Sequence, residues 1–173
     1  MNLESIYQEH KALVYNLALN YVQNIQDAEE ITQDVFFAVY ENLDNFREDS
    51  KVATWLYRIT INKSLDFLKA KKAQKRFAFI TSIFNPDSGK LIHDPAHFDH
   101  PGVLVERKEE LARIFACINE LSSNQKTALI LSKIEKVSQK EIAEIMTLNI
   151  KAVESLINRA KNNLKQKLGN NEG

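Results

Sequence analysis

Polar and basic side chains recur along one short segment near the end of the chain, at intervals that place them on one side of a helix. Six of them share this outward position: Lys151, Glu154, Ser155, Asn158, Arg159 and Lys161. Such side chains can meet phosphates and base edges when their helix lies in the roughly 12 Å wide major groove of DNA. The chemistry that these residues predict is therefore binding to double-stranded DNA.

Two short helices joined by a tight turn must position this polar face. Ser138 and Glu141 form a capping-box pair that predicts the start of the first helix, and Asn149 can cap the second. The residues predicted to face inward recur at helical spacing: Ile142, Ala143, Met146, Ala152, Val153, Leu156 and Ile157. The turn, residues 147–149, has no glycine, so Asn149 is the expected residue if the turn needs a left-handed backbone. This is helix-turn-helix spacing, although capped helix pairs also occur in bundles that never contact DNA.

Three further helices are predicted in the first 72 residues. The first is a long amphipathic helix over about residues 3–21. Asp27, three residues before Glu30, is the expected start of the second helix. Its predicted repeating stripe is Ile31, Val35, Phe36, Val39, Tyr40 and Leu43. Residues 45–50 read as a loop, and a third helix, strongly basic towards its end, is expected over about residues 51–72.

The chain divides into two predicted domains. Proline and glycine interrupt any helix between residues 73 and 102, which we interpret as a flexible linker. Residues 1–72 form the expected N-terminal domain and residues 103–168 the expected C-terminal domain. In the latter, Ser122 and Gln125 form a second capping-box pattern. Residues 169–173 are expected to fray.

The composition favours an all-α fold, because the 173 residues include only four glycines and three prolines. The single cysteine, Cys117, excludes an internal disulfide framework and lies among apolar neighbours, which predicts a buried thiol in a reducing compartment. The sequence does not begin with a leader pattern, and no apolar run approaches the roughly 18 residues that span a bilayer. We therefore expect a cytoplasmic protein.

Charge is distributed in blocks although the formal net charge is zero. Residues 1–50 hold two basic and ten acidic side chains, whereas residues 51–80 hold eight basic and one acidic. Residues 81–110 are again acidic, and residues 111–168 hold ten basic and five acidic side chains. Such asymmetry predicts separate partners for separate surfaces, although charged faces can also serve only to keep a helical protein soluble.

No pattern in the sequence predicts catalysis, a cofactor or a metal. His93, His97 and His100 lie in the proline-broken linker, without a nearby cysteine that would complete a familiar ligand set. The sequence has no phosphate-binding glycine loop, no nucleophile elbow and no tight carboxylate cluster in an apolar setting. We therefore expect a binding protein and not an enzyme.

Three segments together resemble the extracytoplasmic-function group of bacterial RNA polymerase sigma factors, within the sigma-70 family. DAEEITQDVFFAVYENLDNF, residues 27–46, resembles the segment that binds the clamp helices of the polymerase β′ subunit. TWLYRITINKSLDFLK, residues 54–69, resembles the part that melts and reads the minus-ten promoter element. EIAEIMTLNIKAVESLINRAKNNL, residues 141–164, resembles the reader of the minus-thirty-five element. The resemblance implies a factor that binds core polymerase and directs promoter-specific initiation.

The resemblance also assigns expected roles to three sets of residues. The core polymerase-binding set is Asp27, Glu30, Gln33 and Asp34. The minus-ten and melting set is Asn62, Lys63, Asp66, Lys69, Lys71 and Lys72. Within it we expect Asn62 to contact a base and the lysines to contact phosphates, whereas Asp66 organises its neighbours because phosphate repels a carboxylate. The six outward residues of the helix-turn-helix form the minus-thirty-five set.

The implied partners are core RNA polymerase, through the β′ clamp helices and the β subunit, and promoter DNA. The resemblance also suggests an anti-sigma factor, which could hold the chain at the inner membrane. In the implied mechanism the second helix docks on the clamp while the third helix and residues 45–50 trap melted DNA. The linker then spans the gap between the two DNA elements.

Two other functions stay open at this point. A stand-alone helix-turn-helix regulator would bind its operator without polymerase, so dependence on polymerase distinguishes it from a sigma factor. A helical adaptor that has lost DNA binding would not show salt-sensitive binding through the basic segments.

Overall fold

The computed structural model describes residues 2–46, 51–84 and 105–170, and in these ranges the protein is built from helices alone. Seven α-helices are found there: α1 (Leu3–Val22), α2 (Ile25–Asn42), α3 (Val52–Phe84), α4 (Val105–Asn119), α5 (Ser123–Leu129), α6 (Gln139–Met146) and α7 (Ile150–Asn170). A 3₁₀ turn, Leu43–Asn45, follows α2, and a π-helical turn, Ile130–Ile134, follows α5. The all-α prediction is confirmed.

The first three helices pack around one apolar core. The buried stripe of α1 meets those of α2 and α3, since each helix places apolar residues three or four positions apart. The residues buried in this core include Ile6, Val14, Ala18, Leu19, Ala28, Ile31, Val35, Val39 and Leu56. Tyr40, which was predicted to lie on the buried stripe of α2, is 65% exposed, so that prediction is wrong.

The start of α2 also differs from the prediction. The helix begins at Ile25, and the side chain of Asn24 caps it by accepting a hydrogen bond from the Asp27 N–H at 2.9 Å. Asp27 thus lies inside the first turn and does not begin the helix. Asparagine is among the best capping residues, and here it precedes the acidic pair that the sequence pattern favoured.

The third helix is longer than expected. It runs to Phe84, twelve residues beyond the predicted end at Lys72, so the first part of the segment interpreted as linker is helical. No proline or glycine occurs before residue 86, which leaves nothing to break the helix earlier. The remainder of the predicted linker that lies within residues 85–104, including His93, His97 and His100, falls outside the described residues, as do residues 47–50.

The helices of the C-terminal half surround a second core. Phe115, Ile118, Leu121, Leu129 and Ala160 are buried together. Cys117 is buried, as predicted. Ser122 caps α5 by accepting a hydrogen bond from the Gln125 N–H at 3.4 Å. The Gln125 side chain does not complete a capping box, because it accepts a hydrogen bond from Asn163 instead. Within the described ranges, no helix is both long enough and apolar enough to cross a membrane.

A third apolar cluster belongs to both halves of the chain. Leu17 and Tyr21 of α1 and Ile61 of α3 are buried against residues of the C-terminal half. Those residues are Ala128, Ile130, Leu131, Ile142, Ala143, Ile145, Val153 and Ile157. The two halves are therefore in direct contact, with α3 packed on α6.

One cation, Lys126, is buried where the two halves meet. Its side chain is 4% exposed, and its Nζ donates to the Tyr21 carbonyl oxygen at 3.1 Å and to Asn119 Oδ1 at 2.6 Å. Burial, followed by repulsion from Lys72, lowers the pKa of Lys126 from 10.5 to about 8. Burial also raises the pKa of Tyr21 well above its usual range.

The buried lysine makes stability depend on alkaline pH. Between pH 8 and pH 10 the folded state loses the Lys126 proton while the unfolded state keeps it, so the free energy of unfolding should rise by about 2 kcal/mol. Above about pH 10 the trend should reverse, because unfolded tyrosines ionise there and Tyr21 does not. Urea unfolding followed by circular dichroism at several pH values measures the change. Lys126→Met should remove the rise, and an equal rise in both proteins would contradict the assignment.

Candidate nucleic-acid and protein-binding surfaces

The first helix of the predicted helix-turn-helix begins with a complete capping box. The Ser138 hydroxyl accepts a hydrogen bond from the Glu141 N–H at 3.3 Å, and Glu141 Oε2 accepts one from the Ser138 N–H at 3.4 Å. The same carboxylate accepts from the Ser138 hydroxyl at 2.7 Å. These hydrogen bonds lower the pKa of Glu141. The predicted cap is confirmed, and it fixes where α6 starts.

The turn between α6 and α7 contains three residues, as predicted. Thr147, with φ 55° and ψ 45°, takes the left-handed conformation, so the expectation that Asn149 would do so is wrong. The left-handed residue commonly stands directly after the last helical turn, where its N–H satisfies a free carbonyl, and Thr147 holds that place. Asn149 instead caps α7, its Oδ1 accepting the Ala152 N–H at 2.8 Å.

The outward face of α7 keeps the predicted minus-thirty-five residues accessible. Lys151, Glu154, Asn158, Arg159 and Lys161 are exposed, whereas Ser155 is half-buried. The opposite side of the helix is anchored by buried residues: Val153, Ile157 and Ala160. Lys161 stands at the edge of this face, where it lines an apolar groove with Ile114 and Leu164. The structure therefore brings the other exposed residues together at the start of α7 and places Lys161 to one side.

On α3, three of the predicted minus-ten residues share one exposed face. Asn62 and Asp66 lie one turn apart, and Lys69 Nζ bonds Asp66 Oδ1 at 3.2 Å. Lys63 is half-buried at one flank, and Lys72 is exposed at the other. The ion pair agrees with the expectation that Asp66 organises a neighbouring lysine.

Lys71 lies elsewhere. Nine positions after Asn62, it falls on roughly the opposite side of α3, and its Nζ bonds Asp27 Oδ2 of α2 at 2.6 Å. Both side chains are partly buried. The structure thus joins one residue of the predicted DNA set to one residue of the predicted polymerase set, and it places Lys71 away from the exposed face of α3 on which Asn62 lies.

The exposed side of α2 carries aromatic rings beside its acidic residues. Glu30, Gln33 and Asp34 are exposed as predicted. Phe37 and Tyr40 are 61% and 65% exposed, and they lie four and seven positions after Gln33, on the same side of the helix. Sequence reasoning missed both rings as surface residues, because an aromatic residue in an amphipathic helix is expected in the core. The exposure of Phe37 could have been predicted, because this residue falls outside the predicted apolar stripe of α2.

Comparison with known proteins identifies both halves of the chain. Residues 6–74 match the model of Sigma-70 region 2, and residues 111–164 match that of Sigma-70 region 4. The RNA polymerase sigma-H factor of Pseudomonas aeruginosa is 33% identical over 88% of this chain and 78% of its own length. The ECF RNA polymerase sigma-E factor of Escherichia coli (strain K12) is 30% identical over 96% of this chain and 85% of its own.

Solved structures show the same fold. The sigma factor RpoE in complex with the anti-sigma factor NepR, from Bartonella quintana, aligns with a TM-score of 0.67 at 20% identity, over 96% of both chains. CnrH in complex with the cytosolic domain of CnrY aligns with a TM-score of 0.65 at 24% identity, over 96% of this chain and 87% of that one. Sigma factors are non-catalytic initiation factors that direct RNA polymerase to promoters. This chain therefore belongs to the sigma-70 family of RNA polymerase sigma factors, within its extracytoplasmic-function group.

Proposed function

We propose that this sigma factor divides promoter-directed initiation among three surfaces: α2 docks on core polymerase, α3 captures the melted minus-ten element and α7 reads the minus-thirty-five element. The exposure of polar or aromatic groups on each of these helices, opposite a buried apolar stripe, carries the proposal. The chain acts by binding alone, and polymerase supplies the chemistry. It works in the cytoplasm, where polymerase and promoters are found.

The exposed rings of Phe37 and Tyr40 support docking of α2 on a protein. Aromatic residues are enriched at the centres of protein interfaces. Neighbouring exposed rings are unfavourable in free energy on a surface that remains in contact with water, so such a patch marks a protein-binding surface. Glu30 and Asp34 place negative charge beside the rings, so the complementary partner surface is basic. Asp27 contributes by its ion pair with Lys71, which ties α2 to α3.

The exposed face of α3 suits a melted strand. Asn62 offers an amide that can both donate to and accept from a base edge. Lys69, held by Asp66, and Lys72 supply cations for phosphates. Lys63 extends this positive charge along the flank. We assign Lys71 to the link with α2 and not to a phosphate.

The start of α7 suits the major groove. In a helix-turn-helix the first turns of the second helix meet base edges, and Lys151, Glu154 and Asn158 occupy those turns here. Arg159 stands at the flank of the same face, within reach of a phosphate or a guanine. Ser155 is half-buried, so its hydroxyl is less accessible to DNA than the side chains of the exposed residues.

An anti-sigma factor is a further proposed partner. Both solved sigma structures named above hold a second protein, called an anti-sigma factor in the RpoE complex. A protein that covers α2, α3 or α7 would prevent initiation, because each of these surfaces is needed at the promoter.

Initiation by purified components tests the function. Core polymerase should start transcription at discrete sites on a promoter library only when this chain is added, and the templates used should share two upstream elements. Run-off transcription followed by sequencing of the transcript ends measures this. Tight operator binding by the chain alone, without any initiation, would favour a stand-alone regulator instead.

Truncating both rings of α2 tests the polymerase surface. Phe37→Ala with Tyr40→Ala should weaken binding to core polymerase at least about tenfold, the effect expected of interface hot spots. Fluorescence anisotropy of the labelled chain titrated with core polymerase measures it. Phe79→Ala, which removes a 66% exposed ring from α3, is the matched control and should bind normally. Equal binding by all three proteins would exclude α2 as the docking surface.

A pair of asparagines on α7 tests base reading. Asn158→Ala should reduce the preference for the selected minus-thirty-five element over a scrambled one by about tenfold, because a base contact contributes roughly 1–3 kcal/mol of discrimination. Asn162→Ala, one turn further from the start of the helix, should change the preference little. Competition binding by the polymerase complex measures both. An identical loss in the two variants would mean that Asn158 has no special role.

A further inference from the structure

An apolar groove with a volume of about 490 Å³ lies among α4, α7 and the π-helical turn, and we call it the α4–α7 groove. Ile114 and Ile118 of α4 and Leu164 of α7 line it, and its accessible wall is entirely apolar. The volume falls within the range of small-molecule binding sites. Because the wall offers no hydrogen-bonding partner, the groove suits a hydrocarbon better than a polar ligand.

The second core forms the floor of this groove. Phe115, Ile118 and Leu129 are buried in that core, and Ile114 and Leu164 pack against it while remaining half-buried. A hydrocarbon chain in the groove would remove the accessible parts of these side chains from water, which is favourable. The floor is already packed, so little rearrangement opposes binding.

Two lysines stand at the edge of the α4–α7 groove. Lys133 and Lys161 line it and are exposed, and the apolar wall means that they contribute their methylene stems while their ammonium groups face water. Asn20 also lines the groove, but its amide donates to Glu135 Oε1 at 2.7 Å. Of the described residues that line the groove, none is acidic. The edge is therefore complementary to an anionic group.

The π-helical turn supplies part of this arrangement. Its hydrogen bond runs from the Glu135 N–H to the Ile130 carbonyl oxygen at 3.0 Å, five residues apart. Such turns are rare and are frequent at functional sites. Lys133 and Ile134 at the end of this turn both line the groove, and Ile134 is 37% exposed. The turn thus provides the groove with one cation and one accessible apolar side chain.

Lys161 lies away from the DNA-facing start of α7 and close to the groove. It precedes Leu164 by three positions, so the two side chains share one side of the helix. The residues assigned above to base and phosphate contacts on α7, which end at Arg159, do not line the groove. The position of Lys161 is therefore better explained by the groove than by DNA.

We propose that the α4–α7 groove binds a free fatty acid. The hydrocarbon chain lies against Ile114, Ile118 and Leu164, and the carboxylate lies at the edge formed by Lys133 and Lys161. An apolar wall combined with a cationic edge selects this amphipathic anion over a polar anion or a neutral hydrocarbon. The site does not depend on the function proposed above, because none of the residues assigned to the three promoter and polymerase surfaces lines it.

A series of fatty acids of increasing length tests the apolar wall. The saturated acids from octanoate to palmitate, each below its micelle concentration, compete with cis-parinaric acid, whose fluorescence rises in apolar surroundings. Each added pair of methylenes should tighten binding to the full chain about tenfold until the groove is filled, after which the affinity should level off. Absence of binding at every length would overturn the proposal. An affinity that never levels off would also overturn it, because a site of fixed volume must fill.

Removing the two cations tests the edge. Lys133→Gln with Lys161→Gln should weaken laurate binding about fivefold and leave binding of dodecanol, the neutral alcohol of equal length, unchanged. Lys11→Gln with Lys165→Gln removes the same charge from two exposed positions outside the groove and is the matched control. The control should bind both compounds like wild type. Equal weakening of laurate in the two double variants would overturn the assignment of the carboxylate to this edge.

A carboxylate in the wall tests the groove itself. Ile114→Glu should weaken laurate binding at least about tenfold, because the new charge is unfavourable beside the hydrocarbon and repels the ligand. Circular dichroism verifies the fold, and the lysine variant, altered only at exposed positions, keeps the test valid if Ile114→Glu does not fold. Unchanged binding by folded Ile114→Glu would exclude the groove.

Sedimentation velocity distinguishes a second occupant of the groove. A wild-type dimer that Ile114→Glu converts to a monomer, without any fatty-acid binding, would assign the groove to a second copy of the chain and overturn the proposal. Fatty-acid binding by a monomer with the expected lysine dependence supports it. That result stands even if the chain fails to start transcription with core polymerase, in which case the proposed function alone fails.

Discussion

Burial of one apolar cluster that the two halves of the chain share, called the seam, is the constraint on which the rest of the structure depends. Leu17, Tyr21 and Ile61 are buried in one cluster with Ile142 and Val153 of the C-terminal half. Each helix that contributes to the seam therefore turns its polar side outward. The exposed faces of α3 and α7 follow from that burial, because a helix with one buried apolar stripe leaves its opposite face in contact with solvent.

The chain keeps opposite charges apart along its length yet joins them where helices meet. The acidic first 50 residues and the basic segment that follows contact each other through Asp27 and Lys71, and Glu135 meets α1 through an amide and not a cation. An ion pair thus joins α2 and α3 within one half. Between the halves, amide and hydroxyl hydrogen bonds are accompanied by hydrogen bonds from the cations Lys126 and Arg58. Lys51 and Glu141 add an exposed ion pair between the halves at 4.0 Å. Such contacts align the two surfaces while contributing little net stability.

The helices and their inward residues could be predicted from the sequence because apolar spacing reports them directly. The capping box at Ser138 and the three-residue turn were confirmed for the same reason. What the sequence could not provide depends on neighbours that are distant in the chain. Lys71 resembles any other lysine of a basic helix until α2 is packed beside it, and Tyr40 matches a core spacing although its ring is exposed.

The sequence also could not show which of several suitable neighbouring residues caps a helix or takes a left-handed backbone conformation. Asn24 and Asp27 are both good capping residues, and only the path of the chain between α1 and α2 selects Asn24. Thr147 adopts a left-handed backbone that a β-branched residue rarely accepts, so the turn is determined by the packing of α6 and α7 and not by the preference of the residue itself.

The contact of α3 with α6 has an electrostatic consequence. Arg58 of α3 donates hydrogen bonds to two carbonyl oxygens of α6 and keeps its positive charge, because both acceptors are neutral. The guanidinium stands one turn before Asn62, so its charge adds to the positive potential beside the exposed face of α3. Dissolved salt screens such a potential over roughly 8 Å at physiological ionic strength. The distance to which this charge acts beyond the protein surface therefore depends on the ionic strength of the surrounding solution.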